Sequence, residues 1–200
     1  LSDYVQHRQK LHIYRVRTRL GYIPLLKQFF RLVNEAYAPL YGTVELSPAQ
    51  VKKYSWKFAP LINPRLACFV MNQHNELVAL GVSAPSIAEA LKKSRGRLFP
   101  TGWLHVLRAF SKNDTIDLLL IAVRPDLQGK GINAIILSEV MRGCQKMGIL
   151  HAETGPMLEE NENVQAQFQD FPREQHKRRR CCTKELNAVP AAPPLSPIYQ

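Results

Sequence analysis

The chain has 200 residues, 46% of them hydrophobic, enough to bury one sizeable core, so one domain is the default count. Its 27 Lys and Arg against 16 Asp and Glu leave a net charge of +11, which suits nucleic acid, an anionic cofactor or a basic surface. No apolar run approaches the roughly 18 residues of a membrane-spanning helix, and Arg8, Lys10, Arg15 and Arg17 break up any signal-like start. The first residue is Leu1 rather than Met, so a fragment or processed form is expected. Cys68, Cys144, Cys181 and Cys182 form no CxxC pair, which argues against zinc and against a disulfide framework and fits a reducing cytoplasm.

In chain order, residues 11–18 (LHIYRVRT) alternate well enough to be a first strand, preceded by an extension or linker over 1–10. Residues 23–37 place Leu26, Phe29, Phe30, Val33 and Tyr37 on one helical face. Ser47 followed by Pro48 is a helix start, a serine N-cap with proline at the first helical position. Residues 66–71 and 77–83 are apolar runs joined by NQHNE, a hairpin pattern. Residues 86–94 read as a serine-capped helix, and breakers over 96–102 precede an apolar segment at 103–110.

Residues 115–123 (TIDLLLIAV) read as a buried strand. A Pro turn and two glycines bracketing Lys130 lead into a helix over 128–147, on which Ile132, Ile135, Ile136, Val140 and Met141 share a face and which Gly148 ends. The glycines thus sit at a strand-to-helix junction. There the first helical N–H groups lack partners, the helix dipole is positive, and a phosphate is the natural occupant. A bare GxG also occurs in αβ turns that bind nothing. Neither GxxxxGK[ST] nor a complete GxGxxG is present. Residues 150–154 read as a strand, 161–171 as a helix and 178–186 as a closing strand. Four prolines among the last fourteen residues mark 187–200 as a disordered tail.

Val123, Pro125, Gln128, Gly129, Lys130, Gly131 and Ile132 match V-x-P-x-x-[QR]-G-x-G-[IVL], with Asn133 where Gly or Ala is usual. This pattern resembles the acyl-CoA-binding motif of the GCN5-related N-acetyltransferases. The element order is similar to theirs across 11–186. The resemblance implies an α/β (α+β) fold with a twisted, mainly antiparallel sheet, helices on both faces, and strands four and five parallel but splayed. It implies acetyl-CoA or another acyl-CoA as co-substrate, held by Ile121, Ala122, Val123, Gln128, Gly129, Lys130, Gly131, Ile132, Asn133 and Asn161. Blocks such as NEAYAPLYG, LFPTGW and LEENENVQAQF are similar to the second half of bacterial proteins with two such halves, which implies a preceding domain of the same kind in a longer chain.

Acyl transfer to an amine needs a bound thioester, a route for the amine proton and donors for the developing oxyanion. The resemblance assigns the oxyanion donor to a backbone N–H within residues 121–123. Glu153, on the strand beside the cofactor strand, is the candidate base, with Glu159 and Glu160 as alternatives and a structural carboxylate as the bland reading. Asn161 and Asn163 cap the next helix or, for Asn161, touch the cofactor. The family's usual tyrosine on the last helix is missing from 161–171, where Phe168 and Phe171 are the aromatics. Trp56 and Trp103 line an acceptor pocket or join the core. No metal site is expected, since the scattered histidines show no ligand spacing. The expected function is transfer of an acetyl group from acetyl-CoA to a small amine or amino acid. The alternative is a catalytically silent CoA-binding or regulatory domain. A nucleic-acid module using His176–Arg180 (HKRRR) is disfavoured, because no aromatics interleave with the basic run.

Overall fold

A computed structural model describes residues 2–16, 18–40, 42–58, 62–159, 161–180 and 182. The chain divides into two compact units, Leu1–Glu162 and Asn163–Gln200. In the first, five strands form one sheet in sequence order: β1 (His12–Ile13), β2 (Ala67–Met71), β3 (Leu77–Pro85), β4 (Thr115–Val123) and β5 (His151–Thr154). The first three pairings are antiparallel and β4–β5 is parallel. A parallel neighbour requires a crossover, and α6 (Ile132–Met147) supplies it.

The sheet carries a core on each face. Val70, Val78, Ile116, Ile135 and Ile136 are buried on the α6 side, together with Val5 of α1 (Ser2–Arg8). Phe69, Leu80, Val82 and Ala122 are buried on the other, against Tyr22 and Leu32 of the segment ending in α2 (Leu26–Tyr37). In β2 the alternation is clean, with Cys68 and Val70 on one face and Phe69 and Met71 on the other. Burial pushes the Cys68 thiol up to about 12, so it packs as a small neutral hydrophobe.

Local chemistry explains most boundaries. Ser47 and Gln50 form a reciprocal capping box at the start of α3 (Pro48–Phe58): Gln50 N donates to Ser47 Oγ (3.4 Å), and Ser47 N to Gln50 Oε1 (2.9 Å). In the β2–β3 hairpin, Asn72 Oδ1 accepts from His74 N (2.9 Å) and Glu76 N (3.0 Å), and Asn75 adopts φ +58°. Between β3 and β4, α4 (Ala88–Lys93) and α5 (Gly102–Ser111) pack on each other. α6 approaches residue 65 so closely that a Cβ on Gly143 would lie 1.8 Å from Arg65 O.

Several expectations shift. The strand expected over 11–18 is only two residues of β1, and the helix expected from residue 23 begins as a 3-10 turn (Arg19–Leu25) around Pro24, which cannot donate to a helical ladder. Residues 2–8, expected as an extension, are helical and bury Val5. The helix expected over 161–171 is α7 (Glu162–Ala166) followed by turns, in which Phe168 and Phe171 meet at 6.4 Å. Residues 178–180 and 182 are not in a strand; residues 181 and 183–186 of the expected closing strand, and the tail over 187–200, lie outside the described residues. Among the described residues no helix is long and apolar enough to cross a membrane.

Candidate functional site

The site begins with one extra residue in β4. Val82 pairs with Leu120 but its neighbour Ser83 pairs with Leu118, so Leu119 is a bulge with no partner on β3. Its parity effect is visible in the core. Ile116 and Val123 are an odd number of residues apart, yet both join the α6-side core. Parallel pairing with β5 stops at the same place, running from Thr115–His151 to Leu118–Thr154. A bulge bends a strand and raises its twist, so β4 and β5 part company beyond Leu118. The pairing of β4 with β5 thus ends beside the Leu119 bulge, where the splay is expected.

The ladder register decides what β4 offers to that gap. Arg124 N donates to Val78 O (2.9 Å), which places the hydrogen-bonded pairs at Val78–Arg124, Leu80–Ala122 and Val82–Leu120. Gly81–Ile121 and Ala79–Val123 are the alternate pairs, and their N–H and C=O groups point away from each other. Ile121 and Val123 thus turn both backbone groups toward the gap. Ala122, expected among the cofactor contacts, turns its backbone to β3 and buries its side chain at 2% exposure. The Ile121 carbonyl accepts from Tyr37 Oη (2.9 Å), and the Val123 carbonyl from Gln128 Nε2 (3.0 Å). Burial pushes the Tyr37 phenol above its ordinary value.

Beyond Val123 the chain makes a 3-10 turn (Pro125–Leu127), where Arg124 binds Asp126 through two hydrogen bonds of 2.6 and 2.9 Å and holds its carboxyl below the usual range. Gly129 and Gly131 then adopt φ +73° and +79°, backbone that side-chain-bearing residues resist. Gly131 caps α6 with no side-chain acceptor. Ala134 N is tied back to Gly131 O (3.1 Å), leaving the Ile132 and Asn133 N–H groups at the positive end of the helix. The helix expected from residue 128 starts at Ile132, because the Pro turn and two left-handed glycines occupy the residues before it. Gln128, Gly129 and Lys130 are exposed, Asn133 is half-buried and Ile132 is in the core.

The remaining candidates are less closely placed. Glu153 is half-buried on β5, opposite Asp117 and so four residues before Ile121 along the neighbouring strand, roughly 13 Å at strand rise. Asn161 N donates to Leu158 O (3.0 Å) in the turn before α7. Glu159 is exposed, and Glu160 lies outside the described residues. Neither tryptophan joins the core: Trp56 is 79% exposed, and Trp103, 42% exposed, donates its indole N–H to Pro100 O (2.9 Å). Sequence reasoning missed Tyr37 as a partner of β4 and missed the bulge. The only available signal for Tyr37 was its place on the apolar face of α2.

These features define a mixed α/β protein with a parted strand pair beside a glycine turn. No protein-family model and no curated protein sequence matches the chain. Solved structures do resemble it. AAC(6')-Iy in complex with the bisubstrate analogue CoA-S-monomethyl-acetylneamine aligns over 88% of this chain and 99% of its own, with TM-score 0.53 and 12% identity. The aminoglycoside acetyltransferase meta-AAC0020, from an uncultured soil metagenomic sample and in complex with sisomicin, aligns over 90% and 99%, with TM-score 0.55 and 13% identity. A GNAT family acetyltransferase from Brucella melitensis in complex with acetyl-CoA aligns over 78% and 82%, with TM-score 0.50 and 12% identity. The chain has the fold of the GNAT acetyltransferases.

Proposed function

We propose that this protein is an acyl-CoA-dependent N-acyltransferase that moves an acetyl group to a small amine or amino acid. The observation that carries the reading is the gap itself. Beyond Leu119, β4 turns the N–H groups of Ile121 and Val123 into a space that β5 has left, and the same strand runs directly into a glycine turn at a helix N-terminus. Such a strand edge suits an extended carrier with amide and thioester carbonyls. The turn suits its pyrophosphate, because the first N–H groups of α6 and its dipole favour an anion. The residues fit the group: a Cβ at Gly129 would meet nothing within 4 Å, and the net charge of +11 favours an anionic co-substrate. Acetyl-CoA, when bound, supplies an activated acyl thioester.

In this reading Gln128, Gly129, Lys130, Gly131, Ile132 and Asn133 hold the pyrophosphate, the last two through their N–H groups and Lys130 through its charge. Ile121 N–H and Val123 N–H hold carbonyl oxygens, and Ile121 N–H is the donor for the developing oxyanion. Glu153 is the candidate base for the amine proton, and because its place along β5 is far from Ile121 the proton would reach it through a chain of waters.

Charge tests the anion site without damaging the helix. Asn133→Asp puts a carboxylate in the first turn of α6, where it stabilises the helix, yet it repels a pyrophosphate. A ligand that binds only the native state at a hundred times its dissociation constant adds about 2.7 kcal/mol. The parent should therefore show a clear rise in Tm with millimolar acetyl-CoA, and Asn133→Asp should keep or raise the ligand-free Tm while losing that rise. A parent without the rise, or a variant that keeps it in full, contradicts the assignment. Gly131→Val is the poorer probe, since φ +79° and Val5 Cγ2 at 3.3 Å from the added Cβ disturb the fold as well.

A further inference from the structure

The two carbonyls that β4 turns toward the gap are both engaged already, each by a side chain. Tyr37 Oη reaches Ile121 O (2.9 Å) from the last residue of α2, and Gln128 Nε2 reaches Val123 O (3.0 Å) from the glycine turn. The N–H groups of the same residues point the same way, and β5, whose pairing ends at Leu118, supplies them no acceptor. An ordinary free strand edge alternates donors and acceptors and so invites another strand. This one offers donors, with a hydrogen bond already on each carbonyl. Burial keeps the phenol protonated through the neutral range, so Tyr37 remains a donor.

We propose that Tyr37 and Gln128 make the free edge of β4 a donor edge, which holds the Ile121 and Val123 N–H groups in line for the carbonyl oxygens of a ligand and discourages pairing by a peptide strand. This rests on the acyl-transfer reading, in which those oxygens are the amide and thioester carbonyls of the acyl carrier. Both side chains are positioning residues. Tyr37 takes the place of the strand donor that β5 no longer provides and ties α2 to β4 just beyond the bulge. Gln128 ties the glycine turn to the end of the strand, so the row of N–H groups and the anion site keep one register. A carbonyl retains a second lone pair, so the edge is biased toward acceptors rather than closed to donors. A peptide strand, which brings a donor for every acceptor, gains least from it.

The test sets Tyr37→Phe beside Gln28→Met. Gln28 also joins α2 to the sheet, its Oε1 accepting from Leu77 N (2.8 Å), but at the far end of the helix from Tyr37. Without ligand, amide hydrogen exchange over residues 119–123 should speed up about tenfold in Tyr37→Phe, the scale of one lost hydrogen bond, and stay at the parent rate in Gln28→Met. With acetyl-CoA and an accepted amine, Tyr37→Phe should lower kcat about tenfold or more, since a misaimed oxyanion donor loses part of the roughly 10²–10³-fold that such a donor supplies. Its calorimetric Kd for acetyl-CoA should stay within about threefold, less than one hydrogen bond is worth, and Gln28→Met should keep the parent kcat. Parent exchange and parent kcat in Tyr37→Phe overturn the proposal, as do equal losses in both variants. A parent protein that neither binds acetyl-CoA nor turns it over sinks the acyl-transfer reading instead, and the ligand-free exchange then decides whether Tyr37 orders the edge.

Discussion

Single residues divide the proposed chemistry between backbone and side chain. The oxyanion donor and the Ile132 and Asn133 anion contacts are N–H groups, whose positions follow from a bulge and two left-handed glycines; Lys130 adds its charge, and the proton route is left to a carboxylate. Glu153 fits that task by its half-buried place on β5 and fits it poorly by distance, since a base must come within hydrogen-bond reach of its proton directly or through one water. If it serves, Glu153→Gln should lower the acyl-transfer rate by about 10²-fold while leaving acetyl-CoA affinity unchanged, because the base acts on the amine. Steady-state rates together with calorimetry decide this. Full activity in Glu153→Gln with loss in Glu159→Gln moves the base to the loop after β5. The helix-borne tyrosine that the resemblance implies has no counterpart over residues 161–171, and Tyr37 lies on a different element, bonded to a carbonyl. It is no simple substitute.

At the scale of elements, α6 and β4 set the site, and their contacts show which glycines matter for shape. A Cβ on Gly143 would stand 1.8 Å from Arg65 O, which is backbone and cannot swing aside. Alanine should raise helix propensity by about 1 kcal/mol, and overpacking should cost about 1–3 kcal/mol or more. The expected outcome for Gly143→Ala is net loss of stability, read as a lower urea midpoint with unchanged m; an unchanged or raised midpoint contradicts the close approach. The strand over 115–123 was legible to the residue, because its apolar run is bounded by Asp114 and by Arg124 before Pro125. The bulge was not, since TIDLLLIAV is apolar on both faces beyond Asp117 and carries no alternation in which a slipped residue would show. The glycine turn was legible from Pro125, Gly129 and Gly131, whereas the start of α6 was misplaced because residues 128–131 were counted as helix. Ser47–Pro48 announced α3 through capping chemistry, while β1 shrank because only His12 and Ile13 pair with β2. Which carbonyls Tyr37 and Gln128 would reach depends on the ladder register, a long-range property that no local pattern encodes.

At the scale of the whole molecule, the likeness to known proteins lies in the fold rather than in the sequence. Identities of 12–13% leave the architecture in place and little of the side-chain chemistry. The bulge in β4 and the glycine turn are features of the backbone, and the proposed anion and carbonyl recognition rests on them. The basic balance favours acyl-CoA and nucleic acid alike. Salt dependence separates them, since phosphate-backbone binding weakens steeply with added salt. The most direct test of the central claim is hydrogen–deuterium exchange on the parent protein with and without saturating acetyl-CoA. The account predicts protection in two segments, residues 119–123 at the free edge of β4 and 128–134 at the glycine turn and the start of α6, with little change in β2. Protection confined to residues 173–180, or spread evenly with neither segment distinguished, would contradict it.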